Sequence, residues 1–323
     1  MIGLGTLTLT LSFAVAFVAL RLMLPRLRQA HVVGRDVHKP DQPLIPELGG
    51  LALVAGFVAA LVAIVGFKVF FEGFPEVQLV DLLAVLVTVL LIALLGLVDD
   101  VITVKQLFKA VMPVFAALPL MAIKPGETVL NLPFLGHTDF GLFYPLLLVP
   151  LGITGAANAT NMLAGFNGVE AGMAAVAFSS LSVIALSLGE HTAALVLLAA
   201  LGATLACLWF NWFPARIFVG DVGTLTMGAL LASAVILGNF ELAGVVLIVP
   251  HLVDFGFKAR SGFPKTFGVY REGKLYCPSE GPAGLGQWLM KLCGGIRERN
   301  LTLVLIGLEA LMGLVAIGLY ARF

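Results

Sequence analysis

Charged residues are scarce in this chain. They make up 12% of its 323 residues, whereas 60% are hydrophobic. A soluble globular domain is about half apolar and about a quarter charged, so this balance excludes an ordinary water-soluble fold and points to a bilayer as the solvent. Cysteine is scarce too. Cys207, Cys277 and Cys293 form neither a CxxC pair nor a zinc-knuckle spacing, which argues against a disulfide framework or a thiolate metal site. Neither charge sign is in surplus, since 19 Lys+Arg balance 19 Asp+Glu, and no nucleic-acid partner is expected. No internal repeat stands out. The N-terminal apolar run lacks a leading cationic patch and an A-x-A-like cleavage site, so it reads as a span and not as a cleavable signal.

What is abundant is long apolar sequence. A spanning helix needs roughly 20 mostly apolar residues. Ten stretches are read as spans: 3–24, 48–71, 79–98, 107–123, 142–157, 169–188, 192–213, 225–237, 242–257 and 301–321. The fourth carries Lys109, Pro113 and Pro119, and the eighth and ninth are nearly continuous. The predicted fold is an all-α integral membrane protein, one polytopic domain over 1–323. It has ten transmembrane helices and a small cytoplasmic loop domain, 258–300, between the last two. Within that loop, 266–276 alternates like a strand pair around Glu272 and Gly273, and 286–293 reads as a short amphipathic helix on the membrane surface. Residues 127–139, with Pro133 and Gly136, read as an external turn or hairpin. Of the cations, only Lys68, Lys124 and Arg322 fall on one side; the other sixteen fall in or beside the opposite loops. By the positive-inside rule those loops are cytoplasmic. A multi-pass protein of the cell membrane is expected, or of the endoplasmic reticulum in a eukaryote.

The polar clusters all lie in the cytoplasmic loops: His38–Gly50, Gly96–Asp100 with Lys109, Asn158–Gly172, Phe213–Gly223, and the loop that begins at Phe257. Asp99 and Asp100 end the third span. A helix C-terminus disfavours acids, so two adjacent carboxylates there call for a cation, either a metal or a lysine. Lys109 is the natural neighbour, with snorkelling to the interface as its bland alternative. Asp221 precedes the eighth span and can be an N-cap. Gly220 and Gly223 beside it would also let a phosphate approach a helix start, where Asp221 could hold magnesium. Asn158, Asn161 and Asn167 place three amides in ten residues, suited to uracil edges and metal shells. Asn167 with Glu170 also resembles a capping box. His251 and Asp254 share a helix face. Glu309, mid-span, reads as a polar contact inside the bundle or at a homodimer face.

These motifs, IPELGG, LVDD, NATNMLAGFNGVEAG, WFNWFPARIFVGD and GGIRERNLTLVL, run in order along nearly the whole chain. They resemble those of the polyprenyl-phosphate N-acetylhexosamine-1-phosphate transferase superfamily. Within it the likeness is to the UDP-N-acetylglucosamine–dolichyl-phosphate N-acetylglucosaminephosphotransferases of the archaeal and eukaryotic branch. The resemblance implies ten spans with a cytoplasmic active site. It implies transfer of N-acetylglucosamine-1-phosphate from UDP-N-acetylglucosamine to a polyprenyl phosphate of dolichyl type, with release of UMP, as the first membrane step of lipid-linked glycan synthesis for protein N-glycosylation. The implied cofactor is Mg2+, with Mn2+ as a substitute, held at Asn161 and Asp221. Asp99, Asp100, Lys109 and Arg260 are the implied catalytic set, with Lys109 and 154–162 at the lipid phosphate. Arg35, Asp36, Val37, Glu47, Asn158, Asn167 and Phe218 are the implied substrate-binding positions. The pattern departs at Arg260-Ser261-Gly262, where eukaryotic members have an Arg-His-Arg run, and at Thr103, often Asn in the family. The alternatives are a bacterial-type transferase acting on undecaprenyl phosphate and, from a different class, a nucleotide-sugar transporter. Transporter sites sit near the bilayer midplane between repeats, whereas these clusters lie at one edge.

Overall fold

The computed structural model describes residues 2–71, 76–102, 104–124, 126–132 and 136–320. Thr103, Pro133 and Arg322 lie outside these. Among the described residues seven helices are long and apolar enough to cross a membrane. They are α1 (Ile2–Gln29), α2 (Gly50–Phe71), α3 (Leu79–Ile102), α8 (Val169–Leu188), α9 (His191–Asn211), α10 (Gly220–Leu237) and α14 (Glu298–Tyr320). A pair bent by 54°, α11 (Glu241–Leu247) and α12 (Val249–Arg260), makes an eighth if it counts as one span. Pro250 at the start of α12 cannot supply the amide hydrogen that would continue α11.

Two expected spans are built differently. The segment 107–123 is divided into α4 (Gln106–Val111), α5 (Pro113–Ala116) and α6 (Leu118–Ala122). Pro113 and Pro119 each fall in the first turn of a new short helix, where proline is tolerated. The segment 142–157 becomes a π turn, Tyr144–Leu148, leading into α7 (Val149–Met162). That helix runs on through Asn158 and Asn161, so these amides stand on a helix end and not in the loop expected for them.

Three two-stranded antiparallel hairpins join the helices: β1 (Val33–Arg35) with β2 (Leu44–Pro46), β3 (Val129–Leu132) with β4 (Gly136–Asp139), and β5 (Val269–Arg271) with β6 (Lys274–Tyr276). The last turns at Glu272 and Gly273, both with positive φ, as a two-residue hairpin of matching twist requires. An amphipathic helix, α13 (Leu285–Leu292), buries Leu285, Leu289 and Met290 and exposes Trp288 and Leu292.

The bundle is organised around α10, which is buried along nearly its whole length from Val222 to Leu237. Small residues let its neighbours approach closely, the usual device where lipid removes the hydrophobic drive between helices. A Cβ on Gly96 of α3 would lie 2.5 Å from the Val222 Cα, and one on Gly228 would lie 2.3 Å from the Ala156 carbonyl oxygen of α7. α10 is thereby pinned against α3 at its start and against α7 near its middle. Glu309 differs from expectation. It is fully buried in α14, so it does not form a dimer face, and neither carboxylate oxygen has a hydrogen-bond partner among the described residues. One turn on, Gly313 lets α14 pack closely against the Ser180 side chain of α8.

Candidate active site

The helix ends converge on one ammonium group. Lys109 pairs with Asp99 at 2.6 Å and, still more closely, with Asp221. With the Asn161 amide turned to satisfy both its ends, Oδ1 accepts from Lys109 Nζ at 2.8 Å and Nδ2 donates to Asp221 Oδ1 at 3.0 Å. Residues from α3, α4, α7 and α10 thus meet at a point although they span more than a hundred positions. All remain partly accessible: side-chain exposures are 22% for Lys109, 11% for Asp99 and 27% for Asp221.

Asp100 does something different from Asp99. Its carboxylate accepts from the backbone N–H of Asp221 at 2.8 Å and of Val222 at 3.0 Å. These are among the unpaired donors of a helix start, so a residue 121 positions away caps α10. This explains a difference from the sequence reading. α10 begins at Gly220, not at Leu225, and Asp221 lies inside its first turn with no capping bond of its own. Gly220 is required here. Its φ is +73°, and a Cβ would sit 2.7 Å from Asp100 Oδ2.

The other predicted positions divide into those that face this centre and those that do not. Asn158 donates to the carbonyls of Thr154 (2.9 Å) and Ala110 (3.2 Å), tying α7 to the helix that bears Lys109. Glu47 is half-buried after β2, and burial followed by the nearby Asp100 charge raises its carboxyl above the usual range. Phe218 is half-buried, and its backbone bridges Pro46 (2.8 Å) and Gly49 (2.9 Å). Val37 is half-buried and Arg35 exposed on the β1 side. Arg260 is exposed at the end of α12.

Asp36 and Asn167 belong to a second, buried cluster. Asn167 Nδ2 donates to Asp36 Oδ2 (3.2 Å), and its Oδ1 accepts from Ala215 N (2.9 Å). Lys39 bonds Asp36 at 3.0 Å and, more closely, Glu298. His38 stacks on Phe166 and accepts from Gly268 N through Nε2 at 3.2 Å. Burial pulls the His38 imidazole down to about 4. The expected Asn167–Glu170 capping box does not form. Glu170 accepts from Gly165 N instead, because Gly168 starts α8 in the left-handed region and Asn167 is already engaged. His251 and Asp254 share a buried face of α12, where Asp254 pairs with Lys258 at 2.8 Å. Sequence reasoning counted Lys39 and Lys258 among the loop cations and met Glu298 only within the last motif, with no role given to any of the three. Their spacing alone carried no sign of these contacts.

The donor set tests whether a metal fits. Asp99, Asp221 and Asn161 present oxygens that converge on a single cation, here an ammonium, and hard divalent ions favour such oxygen ligands. Asn161 and Asp221 therefore fit Mg2+. Among the described residues, the one group of three His, Cys, Asp or Glu whose ligand atoms all lie within 4.8 Å of one another is Asp36, His38 and Glu298. That group already encloses the Lys39 ammonium.

The chain is similar to known proteins. The sequence profile of glycosyl transferase family 4 matches residues 82–239. A protein of Saccharolobus solfataricus provisionally named UDP-N-acetylglucosamine–dolichyl-phosphate N-acetylglucosaminephosphotransferase is 36% identical over 96% of this chain and 95% of its own. The chain belongs to glycosyl transferase family 4. A Dictyostelium discoideum protein with that same name, without reservation, is 29% identical over 90% of this chain and 82% of its own. A Bacillus subtilis protein provisionally named undecaprenyl-phosphate N-acetylglucosaminyl 1-phosphate transferase is 26% identical over 81% and 71%. The family match contains Asp99, Asp100, Lys109, Asn161 and Asp221 and excludes Glu47 and Arg260.

Proposed function

We propose that this chain transfers N-acetylglucosamine-1-phosphate from UDP-N-acetylglucosamine to a dolichyl-type polyprenyl phosphate, releasing UMP. The reaction takes place at the cytoplasmic face of the membrane. The observation that carries this reading is the convergence of Asp99, Asn161 and Asp221 on Lys109 at helix ends, in a chain 36% identical to a relative so named. In this reading the chain crosses the bilayer ten times. The seven long helices, the bent pair, Gln106–Ala122 and Tyr144–Met162 each count as one crossing.

An oxygen of the lipid phosphate attacks the sugar-bearing phosphorus. A P–O bond forms there, the bond to the bridging oxygen breaks, and that oxygen leaves with UMP. A phosphate monoester has its second pKa near 6, so at neutral pH the nucleophile is already largely dianionic and needs no general base. The difficulty is bringing anions together, and positioning with charge stabilisation dominates such transfers. Mg2+, when bound at Asn161 and Asp221, supplies charge to the pyrophosphate. Lys109 neutralises the lipid phosphate, with Asp99 orienting its ammonium. Asp100 holds the start of α10, and with it Asp221, in place. In this reading Arg260, exposed at the end of α12, reaches the donor, and Glu47, Phe218 and the β1–β2 hairpin take the uridine side.

The test is an assay of purified protein with Mg2+, dolichyl or undecaprenyl phosphate, and a panel of UDP-sugars, read as UMP and lipid-diphosphate-sugar by mass. Turnover with UDP-N-acetylglucosamine that is lost in Asp221→Ala is expected. Wild-type turnover by Asp221→Ala would remove the metal assignment. Absence of UMP with every donor, alongside nucleotide-sugar uptake by vesicles, would replace the transferase with a transporter. Preference for undecaprenyl phosphate would move the reading to the bacterial type.

A further inference from the structure

α7 ends one residue after Asn161, at Met162, with Leu163 as its cap. The last carbonyls of a helix have no partner within it, and they carry the negative end of its dipole. The Met162 carbonyl is met from outside, by the ammonium of Lys258 on α12. Lys258 is itself buried, 7% exposed, and paired at 2.8 Å with Asp254, 1% exposed. The other oxygen of Asp254 accepts from Leu285 N at 2.7 Å, at the first residue of α13. A Cβ on Gly284 would lie 2.8 Å from that oxygen, so the chain there closes tightly on Asp254.

This ion pair lies away from the Lys109 centre, yet it grips the helix end that carries Asn161. A buried cation is costly unless paired. Here it satisfies one carbonyl that would otherwise be unpaired and balances the dipole of α7. If α7 frayed at Met162, Asn161 would lose its setting between Lys109, Asp221 and Thr224.

We infer that Lys258, held by Asp254, is a positioning residue that sets the end of α7 and thereby the Asn161 oxygen for the metal. The inference rests on Asn161 and Asp221 as metal ligands. It also couples the metal end of α7 to the polar segment after α12, since Arg260 lies two residues beyond Lys258 and Asp254 anchors the start of α13.

The experiment measures Mn2+ binding to the full chain in detergent micelles by electron paramagnetic resonance, without substrate, beside thermal unfolding. Groups that support metal ligands typically change metal affinity about 10–100-fold when removed. Lys258→Met is expected to weaken Mn2+ binding at least about tenfold. Lys258→Arg, which keeps the charge, is expected to restore most of it. Wild-type affinity in a folded Lys258→Met protein overturns the inference. If Lys258→Met does not fold, Asp254→Asn serves. It keeps an acceptor for Leu285 N but releases Lys258, and unchanged Mn2+ affinity there also overturns the inference. Asp221→Ala separates the two layers. Loss of Mn2+ binding in Asp221→Ala but not in the Lys258 and Asp254 variants defeats the positioning role alone. Equal binding by wild type and Asp221→Ala, or none by wild type, defeats the metal assignment and the inference with it.

Discussion

Replacing Lys109 by methionine should tighten divalent-cation binding while abolishing turnover. The ammonium of Lys109 occupies the point on which Asp99, Asp221 and Asn161 converge, so an ion entering among those oxygens has to displace it. Exposed ion pairs contribute about 0.2–1 kcal/mol, and breaking fully buried ones costs about 3–5 kcal/mol. Side-chain exposures of 22%, 11% and 27% for Lys109, Asp99 and Asp221 put these pairs between the two regimes, so the upper end of the exposed range is a conservative figure. At about 1 kcal/mol each, the two pairs oppose metal entry by ~2 kcal/mol, or about 30-fold in Kd. Methionine keeps an apolar stem and removes the charge. The assay is Mn2+ titration in detergent, with Lys105→Met as the reference. Lys105 is exposed and one helical turn from Lys109, so it shares the long-range field without touching the carboxylates. Lys109→Met should bind Mn2+ about 30-fold more tightly and release no UMP, because the lipid phosphate has lost its counter-charge. Lys105→Met should change Kd by no more than about threefold, as expected for a screened surface charge. An unchanged or weaker Mn2+ affinity in Lys109→Met would refute the idea that lysine and metal share these oxygens.

The remaining predictions concern the scaffold. Gly220→Ala places a Cβ 2.7 Å from Asp100 Oδ2 at a φ of +73°; it should cost about 1–2 kcal/mol in backbone conformation alone and lower both melting temperature and turnover. Gly152→Ala, whose Cβ would meet only Ile236 at 3.8 Å, should change neither. Lys39→Met strands Asp36 and Glu298 without their cation and should destabilise by about 3–5 kcal/mol, with partial recovery on adding Glu298→Gln, read as thermal unfolding in detergent. His38, held neutral with a pKa of about 4 against 6.5 in the unfolded chain, stabilises the fold fully above pH 6.5. That contribution is lost as pH falls toward 4, by at most about 3 kcal/mol. His38→Gln should flatten the fall in melting temperature over that window.

Hydropathy alone located the seven long helices, because a bilayer imposes length and composition on every crossing. It was less informative where the backbone departs from a plain helix. Pro113 and Pro119 divide one segment, and Pro250 bends another. The misfit of Asp99 and Asp100 with a helix C-terminus pointed to a cation, and Lys109 lies 2.6 Å from Asp99, whereas Asp100 is met by backbone N–H groups instead. The distinct task of Asp100 was invisible, because it caps α10 from 121 residues away and local spacing carries no trace of such a contact. For the same reason Asp221 read as an N-cap when the capping is done for it. Lys258 entered the sequence reading only as one more loop cation. Its meaning depends on α12 packing against the end of α7, which no periodicity records.

Among the described residues two clusters enclose a lysine among acids, and the proximity of ligand atoms alone would favour the one that is not proposed as the metal centre. Asp36, His38 and Glu298 bring three ligand atoms within 4.8 Å of one another, whereas two carboxylates, Asp99 and Asp221, meet at the Lys109 ammonium. Yet Asp36 and Glu298 are only 4% and 5% exposed, and the Lys39 ammonium lies 4.7 Å from the centre of the Phe213 ring. Asn167, Gly268 N and Thr302 Oγ1 use up hydrogen-bonding positions around it. A site for phosphoryl transfer must admit two phosphate-bearing substrates, so its charges cannot all be satisfied and sealed beforehand. The Lys109 cluster meets that condition. Its acids are partly accessible, its ammonium is on a short helix at the end of the bundle, and each contributing element ends there. The Lys39 cluster instead ties the β1–β2 hairpin, the start of α8 and the start of α14 together beneath that opening. Asp36 and Asn167, expected from the sequence at the nucleotide, have their side chains turned into this support. The separation between charge that is reachable and charge that is enclosed is what supports the proposal of chemistry at Lys109 and scaffolding at Lys39.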